Sequence, residues 1–202
     1  PVDARYPLHL NTGRLRDQWH AMSRTGKVAR LFSHVDLPVL GMASRDLELR
    51  RLRPGDLVRI KSRRGEIVVA VEASESVRPG QCFLPMHWGA RFMGGHGVNA
   101  LTLPVFDPVS KQPELKHAAV QVTQAELPWR MAVLARGDGA RLLDAVQPLL
   151  RACDYAAAGL AGREREVLTL RLAHTASVPE ALLAALDAAL GLDDPLAVMR
   201  YE

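Results

Sequence analysis

Residues 57–71 constrain the fold more than any other stretch of the chain. Leu57-Val58-Arg59-Ile60-Lys61-Ser62 alternates apolar and polar side chains, Arg63-Arg64-Gly65-Glu66 offers a turn, and Ile67-Val68-Val69-Ala70-Val71 runs back. A period of two puts one row of side chains on a buried face, and two such runs about a short polar turn form a β-hairpin. Short apolar runs recur at residues 6–11, 29–34, 38–42, 82–86, 101–106 and 118–122, with turns at Arg53-Pro54-Gly55-Asp56 and Val77-Arg78-Pro79-Gly80-Gln81. In the first of these turns Gly55 permits the bend and Asp56 can cap it. Residues 14–22 read as a short helix or turn, and 45–52 as a helical turn through Leu47, Leu49 and Leu52. Many short strands broken by Pro and Gly predict a mainly β chain closed into a barrel.

The pattern changes near Thr123. Residues 129–135 read as an apolar strand, and Gly139 leads into a helix over 140–152 with Leu142, Leu143, Val146 and Leu150 on one face. Residues 164–173 read as a strand, and Pro179 opens a helix over 180–190 that Gly191 closes. Asp193, Asp194 and Glu202 read as a solvated acidic tip rather than a metal site. The expected division is a β-barrel over 1–123 and a small α/β extension over 124–202. Residues 91–98 are too rich in glycine for an ordinary strand. They are expected to lay backbone close to a ligand or a neighbouring domain.

Composition narrows the function classes. Only Cys82 and Cys153 are present, without Cys-x-x-Cys spacing, so a disulfide scaffold, a zinc site or a cluster held by this chain is not expected. Both read as small buried apolar residues. No apolar run is long enough to span a membrane, and a soluble, cytoplasmic setting is expected. The chain begins at Pro1 rather than Met and reads as a piece of something longer. Seven histidines include no His-x-x-x-His pair, and no Gly-x-Ser-x-Gly elbow surrounds a serine, so a hydrolase is disfavoured. His9, alone on an apolar strand, reads as a satisfied structural residue. Gly94-Gly95-His96-Gly97 matches neither nucleotide-loop pattern. Up to Arg64, Arg and Lys outnumber Asp and Glu roughly two to one. That half presents positive potential to an anionic partner. Without a DNA-binding helix pair or an aromatic-studded strand, nucleic acid is not the expected partner.

The chemistry concentrates in Thr12-Gly13-Arg14-Leu15-Arg16-Asp17-Gln18-Trp19-His20. Gly13 lets backbone approach an anion, and Arg14 offers a planar fork of donors suited to phosphate oxygens. Trp19 and His20 add a flat ring and a ring-nitrogen donor. Downstream, an Asn99 amide can match the adjacent donors and acceptors of a heterocycle edge, and Lys116 can balance negative charge.

Taken in order, Thr12-Gly13-Arg14…Trp19-His20, Gly55-Asp56…Val58, His87-Trp88, Asn99-Ala100-Leu101-Thr102 and Asp107-Pro108…Lys116 resemble the C-terminal, dinucleotide-binding domain of the molybdopterin oxidoreductases. Among these the assimilatory nitrate reductases are most similar. The resemblance covers about residues 6–122. Ser23 and Thr25 keep hydroxyls where many relatives have a Thr-rich run, whereas Ala21 departs from it.

The resemblance implies a double-psi β-barrel that closes as a lid over the cofactor. It implies bis-molybdopterin guanine dinucleotide held by Thr12, Gly13, Arg14, Trp19, His20, Ser23, Asn99 and Lys116, with Arg91 near the substrate funnel. It gives this chain no catalytic residue and no metal ligand of its own. The parent enzyme would reduce nitrate to nitrite, with an iron–sulfur cluster in an N-terminal part outside this chain. The partners implied are the remaining catalytic domains of the same polypeptide and an electron-donor protein. A formate dehydrogenase-like enzyme is the alternative within the family. A stand-alone barrel binding protein or nucleic acid is the alternative outside it.

Overall fold

A computed structural model of the chain describes residues 1–162, 166–177, 180–190 and 197–201. In chain order the elements are β1 (Leu8–Gly13), α1 (Ala29–Phe32), β2 (Val39–Met42), α2 (Ser44–Leu49), β3 (Leu57–Lys61), β4 (Glu66–Ala73), β5 (Gln81–Pro85), β6 (Ala118–Gln124), β7 (Trp129–Arg136), α3 (Gly139–Val146), β8 (Tyr155–Ala161), β9 (Val167–His174), α4 (Glu180–Leu190) and β10 (Ala197–Tyr201). Short 3-10 turns occur at His20–Met22, Thr25–Lys27, Val98–Ala100 and Gln147–Ala152.

The chain forms two compact units. The first comprises Pro1–Arg14, Pro38–Met86 and His96–Ala125; the second comprises Leu15–Leu37, His87–Gly95 and Glu126–Glu202. Residues 15–37 and 87–95 thus cluster with the C-terminal part of the chain.

The first unit is a closed six-stranded barrel in the order β1-β5-β2-β4-β3-β6. This is the mainly β barrel that the sequence predicts. β1 pairs parallel to β5 and β2 parallel to β4, and the other pairings are antiparallel. The hairpin of residues 57–71 forms as expected, in register from Leu57↔Ala70 to Lys61↔Glu66. Its alternation buries Val58, Ile60, Val69 and Val71, which join Leu8, Leu10, Leu40, Leu84 and Val120 in the core. Each such side chain contributes about 1.5–3 kcal/mol by leaving water.

Two turns fix the barrel's corners. Gly55 takes φ +93°, and the Asp56 carboxylate accepts the Arg53 N–H at 2.8 Å. Buried Asp46, on α2, accepts the Gly80 N–H at 2.7 Å and lies 3.4 Å from the Arg50 guanidinium. Residues 101–106 do not form the expected strand. Pro104 removes a ladder donor, residues 103–106 are exposed, and Phe106 forms an isolated bridge with Pro113 rather than a ladder among the described residues.

The second unit carries an antiparallel sheet in the order β10-β7-β9-β8, with α3 between β7 and β8 and α4 between β9 and β10. This is a split βαβ arrangement, and it is the small α/β part expected from the sequence. Asp138 caps α3 by accepting the Arg141 N–H at 3.1 Å. The single helix expected over 140–152 passes into a 3-10 turn at Gln147, where Pro148 brings no N–H.

Two strands here were not anticipated. β8 reads Tyr-Ala-Ala-Ala-Gly-Leu-Ala, without the β-branched residues that mark a strand. Close packing selects small side chains there: a Cβ on Gly159 would lie 3.0 Å from both the Asp36 carbonyl and the Phe32 ring. β10 is the other. Of the sequence expectations, Glu164, Arg165, Pro179, Gly191, Asp193, Asp194 and Glu202 lie outside the described residues. Among the described residues no helix is long and apolar enough to cross a membrane.

Candidate functional site

Barrel closure brings the end of β1 beside the approach to β6. Thr12 points inward, only 3% exposed, and its hydroxyl donates to the Leu115 carbonyl at 2.8 Å. Gly13 ends β1, paired with Pro85 of β5, and Arg14 follows it out of the strand. Gly13 lies beneath the Phe83 ring, and a Cβ there would meet that ring at 2.7 Å. Its carbonyl accepts the Met86 N–H at 3.0 Å, which extends the parallel β1–β5 ladder by one rung.

Arg14 then lines an open cleft of about 700 Å³ in the first unit, shared with Met86, Phe106, Leu115, Lys116 and His117. Arg14 and Lys116, separated by most of the barrel sequence, therefore face one space. Among the described residues neither forms an ion pair. The two carboxylates that also line the cleft are engaged by their own loop. Asp107 accepts the Ser110 N–H, the Ser110 hydroxyl and the Val109 N–H, which together hold its carboxyl below the usual range. Glu114 accepts the Lys116 N–H at 3.1 Å. His117 takes φ +58°, a left-handed conformation that costs a residue with a Cβ about 1–2 kcal/mol.

The cleft thus offers a planar guanidinium, an ammonium and an imidazole, with apolar Val105 and Phe106 at its side. That donor set fits a pyrophosphate-bearing dinucleotide. Asn99 does not line this cleft. It is exposed on the 3-10 turn of residues 98–100, where its carbonyl accepts the Thr102 hydroxyl at 3.1 Å.

The remaining sequence candidates belong to the second unit. Trp19 is 49% exposed and stands edge-on to His20, with ring centroids 4.6 Å apart. Ala21 and Met22 follow at φ +47° and +53°, a tight left-handed bend, and Ser23 is exposed at its end. Thr25 spends its hydroxyl within the protein, donating to the Gln18 side-chain amide oxygen at 2.6 Å. A second cleft, of about 450 Å³, is lined by Leu15, Arg16, Asp17, Gln18, His34 and Val35. On its wall the Arg16 guanidinium and then the His34 ring, 2.6 Å away, hold the Asp17 carboxyl below its usual range. Arg91 pairs with Asp144 of α3 at 2.7 Å and sits over the Phe92 ring.

The glycine-rich stretch from Arg91 packs on backbone of its own unit. The Gly94 N–H donates to the Ala156 carbonyl at 2.9 Å, and the Phe92 carbonyl accepts the Ala158 N–H at 2.8 Å. His9 departs from the expected satisfied residue. Its Nδ1 is buried without a hydrogen-bond partner among the described residues, and its ring meets His117 edge-on at 5.8 Å. Nothing local in the sequence marks Phe83, His117 or Asp46, because each matters through a partner distant in sequence.

The family model described as Molydopterin dinucleotide binding domain matches residues 8–119. A nitrate reductase of Klebsiella oxytoca is 43% identical over 135 residues, covering 67% of this chain and 16% of its own length. A Synechocystis nitrate reductase is 42% identical over 123 residues, covering 61% of this chain and 17% of its own. One from Shewanella frigidimarina is 34% identical over 139 residues, covering 59% and 15%. The chain therefore spans about one sixth of the length of these relatives. Among solved structures, acetylene hydratase from Pelobacter acetylenicus superposes on 59% of this chain and 18% of its own, with a TM-score of 0.49 and 15% identity.

Proposed function

Because the chain belongs to the molybdopterin dinucleotide-binding domain family, we propose that it is the cofactor-holding part of a molybdenum-dependent nitrate reductase of the assimilatory, cytoplasmic kind. The observation that carries this reading is the cleft that brings Arg14 and Lys116 together, neither of them in an ion pair among the described residues, inside the segment that the family model matches. The cofactor in this reading is bis-molybdopterin guanine dinucleotide. Arg14 and Lys116 neutralise its pyrophosphate, the guanidinium through paired N–H donors. The Thr12 hydroxyl fixes the Leu115 carbonyl and so the segment ahead of β6 that carries Lys116 to the cleft. The same reading gives Trp19 and His20 a ring face and a ring donor toward the cofactor, and Ser23 and Asn99 further polar contacts.

When bound, the cofactor supplies the two-electron chemistry that takes nitrate to nitrite and water. This chain binds and orients it and carries no catalytic residue of its own. The remaining catalytic domains, an iron–sulfur cluster and the contact with an electron-donor protein belong to the rest of the parent polypeptide.

The test is the molybdenum, iron and released-pterin content of the parent enzyme, with nitrate reduction measured against a reduced dye. Molybdenum with guanine dinucleotide and nitrite formation are expected. Arg14→Ala should lower molybdenum occupancy several-fold while the barrel stays folded. A folded, cofactor-competent parent that holds no molybdenum would overturn the reading.

A further inference from the structure

His87 is only 3% exposed and lies 72 residues from the segment it touches. Its ring Nε2 accepts the Leu15 N–H at 2.9 Å, and both residues belong to the second unit. This amide comes just after the last backbone rung of the β1–β5 ladder, the Met86 N–H on the Gly13 carbonyl. A side chain, not backbone, takes the next donor. An imidazole nitrogen accepts only when it carries no proton, so this bond requires the neutral ring with its proton on Nδ1.

A second fixed point follows within the same segment. Gln18, also buried, accepts the Thr25 hydroxyl at 2.6 Å and donates to the Leu31 carbonyl at 3.4 Å. The Trp19 N–H approaches the same Thr25 oxygen at 3.4 Å. His87 and Gln18 therefore bracket Arg16 and Asp17.

We propose that His87 is a positioning residue for dinucleotide binding: by holding the Leu15 amide it fixes the backbone that presents residues 16–20. The proposal rests on the reading that residues 12–20 contact the dinucleotide. His87 acts through Leu15 and need not touch the ligand.

The parent enzyme, purified with its cofactor, is compared as wild type, His87→Gln, His87→Asn, His87→Leu and Arg14→Ala. One readout is hydrogen exchange of the peptide covering residues 15–20. The other is the rate at which molybdenum and pterin leave the folded enzyme during dialysis. Gln places an acceptor near the position of Nε2, whereas Asn is too short and Leu has none. His87→Leu and His87→Asn should speed exchange at Leu15 about tenfold, the equivalent of one hydrogen bond at 1.4 kcal/mol per decade. Both should shed cofactor faster, and His87→Gln should restore both readouts. If His87→Leu fails to fold, the contrast between Gln and Asn carries the test.

Unchanged exchange at Leu15 in His87→Asn and His87→Leu would overturn the proposal. So would equal cofactor loss in all the His87 variants while Arg14→Ala accelerates it. If Arg14→Ala leaves retention unchanged as well, the cofactor reading of residues 12–20 fails and the proposal falls with it.

Discussion

Gly94 and Gly95 are adjacent glycines with opposite expected responses to the same change. A Cβ on Gly94 would stand 2.7 Å from the Leu150 carbonyl oxygen and 3.5 Å from the Ala156 backbone nitrogen. An ordinary C···O approach is about 3.3 Å or more, so alanine needs a shift of about 0.6 Å against backbone on both sides. Overpacking of this kind costs about 1–3 kcal/mol. The shift also stretches the Gly94 N–H bond to the Ala156 carbonyl, now 2.9 Å, at about 1 kcal/mol. Restricting the unfolded chain returns about 0.4–1 kcal/mol, which leaves a net loss of about 1–3.5 kcal/mol.

At Gly95 a Cβ meets nothing within 4 Å, and the backbone is not left-handed. Only the unfolded-chain effect remains, so Gly95→Ala should gain about 0.4–1 kcal/mol. In thermal melts of this chain the two variants should separate by several degrees, at roughly 2–4 °C per kcal/mol for a chain of this size. Exchange at the Ala158 amide, bonded to the Phe92 carbonyl, should rise in Gly94→Ala alone. Equal melting of Gly94→Ala and wild type, or equal damage from both substitutions, would refute the packing of residues 92–94 on β8.

Three further outcomes are expected. Asp46→Ala removes a buried carboxylate from the Gly80 N–H and Arg50 and should cost about 2–3 kcal/mol by urea titration, with Asp46→Asn milder; a loss below 0.5 kcal/mol would contradict it. Burial pushes the Cys82 thiol up to about 12 and the Cys153 thiol up to about 11, so at pH 8 both remain protonated and a thiol reagent should label neither until the chain unfolds; rapid labelling of the native protein would contradict this. The depressed Asp107 carboxyl stabilises its loop above the ordinary value of 3.8, and this support is lost as pH falls through the lower folded value; excess exchange at Val109 and Ser110 should therefore emerge only below 3.8, and its onset near pH 6 would refute the assignment.

The sequence by itself determined what short-range physics writes. Alternation at residues 57–71 specified a hairpin and its buried row. The Pro-Gly turns specified where chain direction reverses, and the 3.6-residue period specified the α3 face and α4. The order of motifs from Thr12 to Lys116 specified the family. It could not specify β8, because alanine and glycine carry no strand signal, and at Gly159 it is contact with Phe32 and Asp36 that excludes a side chain. Pro104 was visible within residues 101–106, yet the apolar run around it read as a strand.

Only the tertiary structure decided who meets whom. The mixed strand order β1-β5-β2-β4-β3-β6 sets Thr12 against Leu115 across 103 residues and brings Arg14 and Lys116 to one cleft. In the other unit, His87 meets Leu15 across 72 residues. A side-chain period records which face is buried, but not which distant chain covers it. Closure of the barrel and packing of the sheet supply that information.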